Sequence, residues 1–132
     1  MFDYYSPGGE PACGCDCHRA ALPAGLHSVA EVVAAWGGEL SFPDWSGHNL
    51  DAFWDSIRDL DAIGPRRIVM LHRDFPPLSE VQAQAYVELL RDAVLFWEAH
   101  SEEHCLEVWF PRPVRDQVEE MVGFLPPPAD LF

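Results

Sequence analysis

Between residues 51 and 58 stand four side chains suited to recognition chemistry: Asp51, Trp54, Asp55 and Arg58. At about 100° per residue they share one side of a helix. Carboxylates at i and i+4 can accept charge-assisted hydrogen bonds from cations. An aromatic flanked by charges has the composition of an interface anchor. Acid–base catalysis is the less suitable use, because carboxylates on an exposed helix lack the burial that tunes a carboxyl group. The plain alternative is a solvated acidic face with Trp54 half-buried at its rim.

Stability alone does not explain this face. Asp is a weak helix former. Asp51, Asp55 and Asp59 follow at i, i+4 and i+8, and each like-charged pair costs roughly 0.2–0.5 kcal/mol. Asp51 recovers part of that at the positive end of the helix dipole, and Arg58 offsets some of the rest.

A second group with chemistry is Cys13-Gly14-Cys15-Asp16-Cys17-His18. In an extended segment the three cysteines share one face. Cys13, Cys15, Cys17 and His18 could ligate zinc, with Cys105 and His100 or His104 joining from afar. The spacing is not the usual Cys-x₂₋₄-Cys. Small buried thiols on an edge strand, or simply a Cys-rich arm, fit the same residues.

The acidic face needs a helix that starts and is anchored. Pro43 and Gly47 punctuate a loop. Asn49 is a good N-cap, because its side-chain oxygen can accept from a first-turn N–H. Leu50, Phe53, Ile57 and Leu60 then make one apolar stripe.

The block Pro43, Trp45, Gly47, Asn49-Leu50-Asp51-Ala52, Trp54-Asp55 resembles the signature of the barstar family, intracellular inhibitors of the secreted ribonuclease barnase. Asn-Leu-Asp-Ala-x-Trp-Asp is not produced by helical periodicity alone. The resemblance is dense over Pro43 to Asp55 and can be followed as an order of elements over about residues 17–110. It implies a small three-stranded parallel sheet packed with helices. It implies an α/β inhibitor of a basic secreted ribonuclease or ribonuclease-type toxin. Asp55 would then be the principal phosphate mimic and Asp51 a second acidic contact. Trp45, Asn49, Leu50 and Trp54 would surround them, Arg58 lies within reach, and Glu98 is the candidate acidic contact from the long helix. Ser46 and His48 depart from the aromatic and acidic residues common at these places in the family.

Taken in order, residues 1–16 read as a loose arm, with Pro7, Gly8, Gly9 and Pro11 close together. Cys17 to Leu22 reads as a strand ended by Pro23 and Gly25. Ser28 caps a helix through Val29, Val32, Val33 and Trp36, with Glu31 at the capping-box spacing and Gly37-Gly38 as its stop. After the acidic helix, Gly64-Pro65 breaks the chain. Arg66 to His72 reads as a strand buried on both faces. Ser79 caps a long helix to about Ala99, and Leu106 to Phe110 reads as the last strand. Helical connections between successive strands favour a mainly parallel sheet. Residues 111–132 form a Pro-rich extension with a helix over Val114 to Val122.

At 132 residues the chain is read as a single domain, 1–132, and 48% hydrophobic composition supports a packed core. A net charge of −14 argues against nucleic acid and anionic membrane as direct partners and suits a cationic protein, although acidity for solubility alone fits the same charge. The first residues lack a basic and then apolar leader, so the expectation is a cytoplasmic protein with reduced thiols. No nucleophile motif, phosphate loop or dinucleotide fingerprint appears. Neither enzymatic activity nor a cofactor is expected, and a metal-binding or structural module on the cysteine cluster is the alternative.

Overall fold

The computed structural model describes residues 1–14, 16–42, 48–58, 67–100 and 104–127. Cys15, Trp45, Asp59, Leu60 and the breaks at Pro43, Gly47 and Gly64-Pro65 lie outside these residues. In chain order the elements are β1 (Asp3–Tyr5), β2 (Cys17–Leu22), α1 (Val29–Glu39), α2 (Leu50–Ile57), β3 (Arg67–His72), α3 (Glu80–His100), β4 (Cys105–Pro111) and α4 (Arg115–Gly123). A short 3₁₀ turn over Arg112–Val114 leads into α4.

The described strands form one sheet in the order β1-β4-β3-β2, and each pairing is parallel. The α/β class and the parallel sheet follow the sequence reading; the strand number does not. Asp3–Tyr5 adds a fourth strand, with Asp3 opposite Trp109 and Tyr5 opposite Pro111. Phe2 is the reason an apparently loose arm pairs. Its ring packs 5.6 Å from that of Phe110 and Phe2 is 6% exposed, so a core side chain stands directly before β1 and anchors it.

One face of the sheet carries Ala20, Leu22, Ile68, Met70, Leu106, Val108 and Phe110. Against it pack Val32, Val33 and Trp36 of α1, Phe53 and Ile57 of α2, and the Tyr86, Val87, Leu90, Ala93 side of α3. The opposite face would leave Val69 and Leu71 wet, yet both are fully buried. The N-terminal segment covers it. Glu10 pairs with Arg73 at 3.2 Å, Arg19 donates to the Pro11 carbonyl at 3.1 Å, and Arg67 donates to the Ala12 carbonyl at 2.7 Å. So β3 is buried on both faces as its apolar run requires, by helices on one side and by this strap on the other.

Two further expectations are corrected in the same region. Cys13 and Cys17 are joined by a disulfide, with Cα atoms 5.4 Å apart, and are not reduced thiols. The bond ties the end of the strap to the start of β2. In α1 the helix does not stop at Gly37-Gly38 but runs to Glu39. Leu40 explains the extra residues: it is fully buried, and stopping earlier would leave it outside. The chain reverses one residue later, at Ser41, whose φ of 59° lets Phe42 N–H reach back to the Gly37 carbonyl at 2.9 Å. At the other end Ser28 Oγ accepts from Glu31 N–H at 3.1 Å, while the Glu31 carboxylate accepts from His27 N–H at 3.2 Å. This is the reciprocal capping expected from the spacing, shifted by one residue.

A polar chain runs through the core. His72 Nδ1 faces the Trp109 carbonyl at 3.1 Å, and a carbonyl only accepts, so Nδ1 carries the proton. Nε2 therefore accepts from the Tyr86 hydroxyl at 2.7 Å, and the Tyr86 oxygen accepts from Trp36 Nε1 at 2.8 Å. The imidazole also stacks on Phe110 at 4.0 Å. Complete burial holds the His72 pKa down to about 3 and pushes that of Tyr86 upward. The chain joins α1, α3, β3 and β4 with every polar group satisfied by another.

Candidate functional site

Helix α2 begins where Asn49 Oδ1 accepts from Ala52 N–H at 2.8 Å, the cap that the sequence offers. Its inner side is fixed by Phe53 and Ile57, both fully buried. Phe53 meets Phe42 edge-on at 5.9 Å, and Trp97 Nε1 donates to the Ile57 carbonyl at 3.0 Å. That last bond satisfies a carbonyl which the end of the helix would otherwise leave unpaired. A two-turn helix is not stable alone, so this packing is what holds its outer side in place.

On the outer side the structure brings together four of the residues singled out above. Asp51 is exposed and Trp54 half-buried. Trp54 sets its edge against Phe96 of α3 at 6.1 Å. Asp55 is 73% exposed, and its Oδ1 lies 2.6 Å from Nη2 of Arg58. The Arg58 guanidinium also sits 5.0 Å over the Trp54 ring, and its Nε donates to the Trp54 carbonyl at 3.4 Å. Asn49 is spent mainly as the cap, and Leu50 is partly buried against the core. Trp45 lies outside the described residues.

Between α2 and α3 runs an open groove of about 310 Å³. Leu50, Trp54 and Leu89 give it an apolar floor, and Asp51, Glu88 and Asp92 line it with carboxylates. Asp92 is not free, because Arg91 holds its Oδ1 at 2.9 Å and 3.1 Å while donating to the Pro126 carbonyl at 2.6 Å. Arg91 thereby ties the C-terminal extension to α3, as does Gln84, which donates to the Met121 carbonyl at 3.2 Å.

Glu98, the candidate from α3, stands elsewhere. It lines a hollow with Met1, Asp3, His104 and Glu107, on the side of the sheet edge. The acidic residues of α3 that share the groove with α2 are Glu88 and Asp92. Their positions were legible in principle: 85, 88, 89, 92 and 96 form a helical stripe beside the core stripe. Nothing in the sequence said which of the two non-core sides of α3 would meet α2.

Among the described residues the cysteine cluster does not come together as a metal site. Cys13 and Cys17 are consumed by their disulfide, Cys15 lies outside the described residues, and His18 Nε2 donates to the Glu39 carbonyl at 2.7 Å. Cys105 sits beside Glu107 instead, its Sγ 3.9 Å from Oε2, with burial pushing the thiol pKa up and away from the thiolate that a metal needs. Among the described residues no group of three His, Cys, Asp or Glu side chains is placed to hold a metal ion. Glu107 serves Arg67, which it meets through two bonds at 2.6 Å and 2.9 Å; that pairing holds the carboxyl below its ordinary pKa. No helix among the described residues is long and apolar enough to cross a membrane.

A family model described as Barstar (barnase inhibitor) matches residues 20–109. No curated protein and no solved structure matches the chain. The matched stretch contains the second half of β2, all of α1, α2, β3 and α3, and most of β4. It leaves out β1, the strap, the disulfide and α4.

Proposed function

The chain belongs to the barstar family, and from that premise we propose that it inhibits a barnase-type ribonuclease, or a toxin carrying such a domain, by seating the outer side of α2 in the active site. The observation that carries the reading is the two-sidedness of α2. Phe53 and Ile57 are fully buried while Asp51 and Asp55 on the other side are open to a partner.

The chemistry is mimicry of phosphate. A ribonuclease must hold an anionic backbone and a more anionic transition state, so its site is rich in cations. Carboxylates offered at that place accept charge-assisted hydrogen bonds from the same cations. Asp55 is the principal mimic and Asp51 the second acidic contact, with Trp54, Leu50 and Asn49 around them. Because the helix is already folded and packed, little ordering is left for association to supply. A net charge of −14 steers a basic partner inward. The action is stoichiometric, with no catalytic step and no cofactor.

The test is a titration of barnase activity with the purified chain, together with a pull-down for small basic proteins. Loss of activity with a one-to-one endpoint is expected for a ribonuclease that the chain retains. A chain that spares barnase and retains no ribonuclease would remove the reading.

A further inference from the structure

The residue at odds with a phosphate-mimicking surface is Arg58. It places a permanent positive charge 2.6 Å from the carboxylate of Asp55. It is held there by three attachments: the Asp55 oxygen, the Trp54 carbonyl at 3.4 Å, and the face of the Trp54 ring at 5.0 Å. Both charged groups remain reachable, with side chains 38% and 73% exposed. The cation is therefore part of the surface that a partner meets, and Asp55 reaches that partner as half of a neutral pair.

We propose that Arg58 is a selectivity residue: it competes inside the free protein for the carboxylate that a ribonuclease cation would take, and so narrows the range of ribonucleases that the chain can inhibit. The proposal rests on the inhibitor reading. A partner cation arriving at Asp55 must displace the guanidinium or share the oxygen with it. Displacement breaks the hydrogen bond to Asp55 and leaves an arginine facing a basic site, where like charges brought together are strongly unfavourable. Sharing divides one carboxylate between two cations. Either way binding is weaker than an unpaired Asp55 would give, unless the partner supplies an acceptor for the guanidinium. Arg is suited to this role, because its charge persists at any working pH and its planar fork is not easily turned aside.

The experiment uses barnase as the probe and compares inhibition by the unaltered chain with that by Arg58→Gln. Arg58→Lys keeps the charge, and Arg112→Gln makes the same change in net charge at the turn before α4. Arg58→Gln should inhibit barnase about tenfold more tightly. Arg112→Gln should stay within about threefold of the unaltered chain, and Arg58→Lys, which keeps the charge, should not show the gain of Arg58→Gln. In an Asp55→Ala background the gain from Arg58→Gln should be clearly smaller, since no carboxylate is left to compete for, whereas a general charge effect or a packing effect would leave it unchanged. Thermal unfolding checks that each variant is folded. Equal gains from Arg58→Gln and Arg112→Gln would overturn the proposal, as would no gain from Arg58→Gln. Weaker inhibition by Arg58→Gln would make Arg58 a direct contact and also overturn it. If the unaltered chain inhibits barnase but Arg58→Gln brings no gain, only the selectivity role falls. If neither chain affects barnase, the role falls and the inhibitor reading is weakened with it.

Discussion

Two clusters in this molecule each join a tryptophan to polar side chains and have opposite fates. One is Trp36, Tyr86 and His72, sealed in the core with donor matched to acceptor along the chain. The other is Trp54, Asp55 and Arg58 on the outside of α2, where the carboxylate is 73% exposed and ready to change partners. A buried polar group must be satisfied by its neighbours, because leaving it bare costs about 1–3 kcal/mol or more. The sealed cluster therefore fixes how four elements meet and has no capacity left for a ligand. The open cluster contributes little to folding, since exposed ion pairs are worth about 0–1 kcal/mol. Its capacity to bond is what it offers to a partner.

The largest expected effect falls on the open cluster. Asp55→Ala should weaken binding of the cognate ribonuclease by roughly 2–5 kcal/mol, the general cost of stranding a desolvated charge in complexes, barnase with barstar among them. Its unfolding midpoint should be unchanged or slightly raised, since a poor helix former is removed. Isothermal titration and thermal unfolding measure the two halves. A destabilised variant with intact binding would exchange the roles of the clusters.

Acid should act on the sealed cluster. The unfolded chain protonates His72 near pH 6.5, but the folded chain resists until about 3. The unfolded state thus binds more protons in between. Stability is intact above about pH 6.5 and falls as pH drops toward 3, at roughly 1 kcal/mol per unit from this group. Glu107, held low by Arg67, adds a loss in the same direction only once pH reaches the carboxylate range. Urea unfolding between pH 7 and 5 isolates the histidine. Replacing His72 by Phe, which can keep the stack on Phe110, should flatten that slope; an unchanged slope would show that His72 is not its source.

Tyr86→Phe removes one oxygen that serves two partners. It should cost about 1–3 kcal/mol of stability, because Trp36 Nε1 and His72 Nε2 lose their bond together. Binding should stay within error of the unaltered chain. Chemical denaturation and the same titration check both, and lost affinity in a folded variant would mean that the core cluster reaches the surface of α2.

The smallest effect should come from Glu98→Ala. Its side chain lines the hollow beside Asp3 and Glu107 and not the groove of Asp51 and Trp54. A change in binding of about 0.5 kcal/mol or less is expected. A loss near that of Asp55→Ala would extend the partner's footprint to the sheet edge.

Local rules made much of this legible. Asn49 and Ser28 cap where their types and spacing say they should, since a cap is decided within three residues. The separation of Phe53 and Ile57 from Asp51 and Asp55 follows from the helical period alone. The run Ile68-Val69-Met70-Leu71 announced a strand buried on both faces. The dense motif from Asn49 to Asp55 identified the family.

What lay beyond the sequence was what depends on distant chain. Asp3–Tyr5 is too short to declare itself a strand and becomes one because β4 offers an edge and Phe110 a ring. Residues 6–14 read as a loose arm, since the need to cover Val69 and Leu71 arises only after the helices have taken the other face. Gly37-Gly38 carries a local stop signal, and burial of Leu40 overrides it. The side of α3 turned toward α2, which carries Glu88 and Asp92 and not Glu98, depends on the angle at which two helices pack. The sequence by itself determined which side chains share a face, because helical and strand periods are properties of the backbone. Tertiary structure alone decided which faces meet, because that is settled by burying the most apolar area while leaving no polar group unpaired.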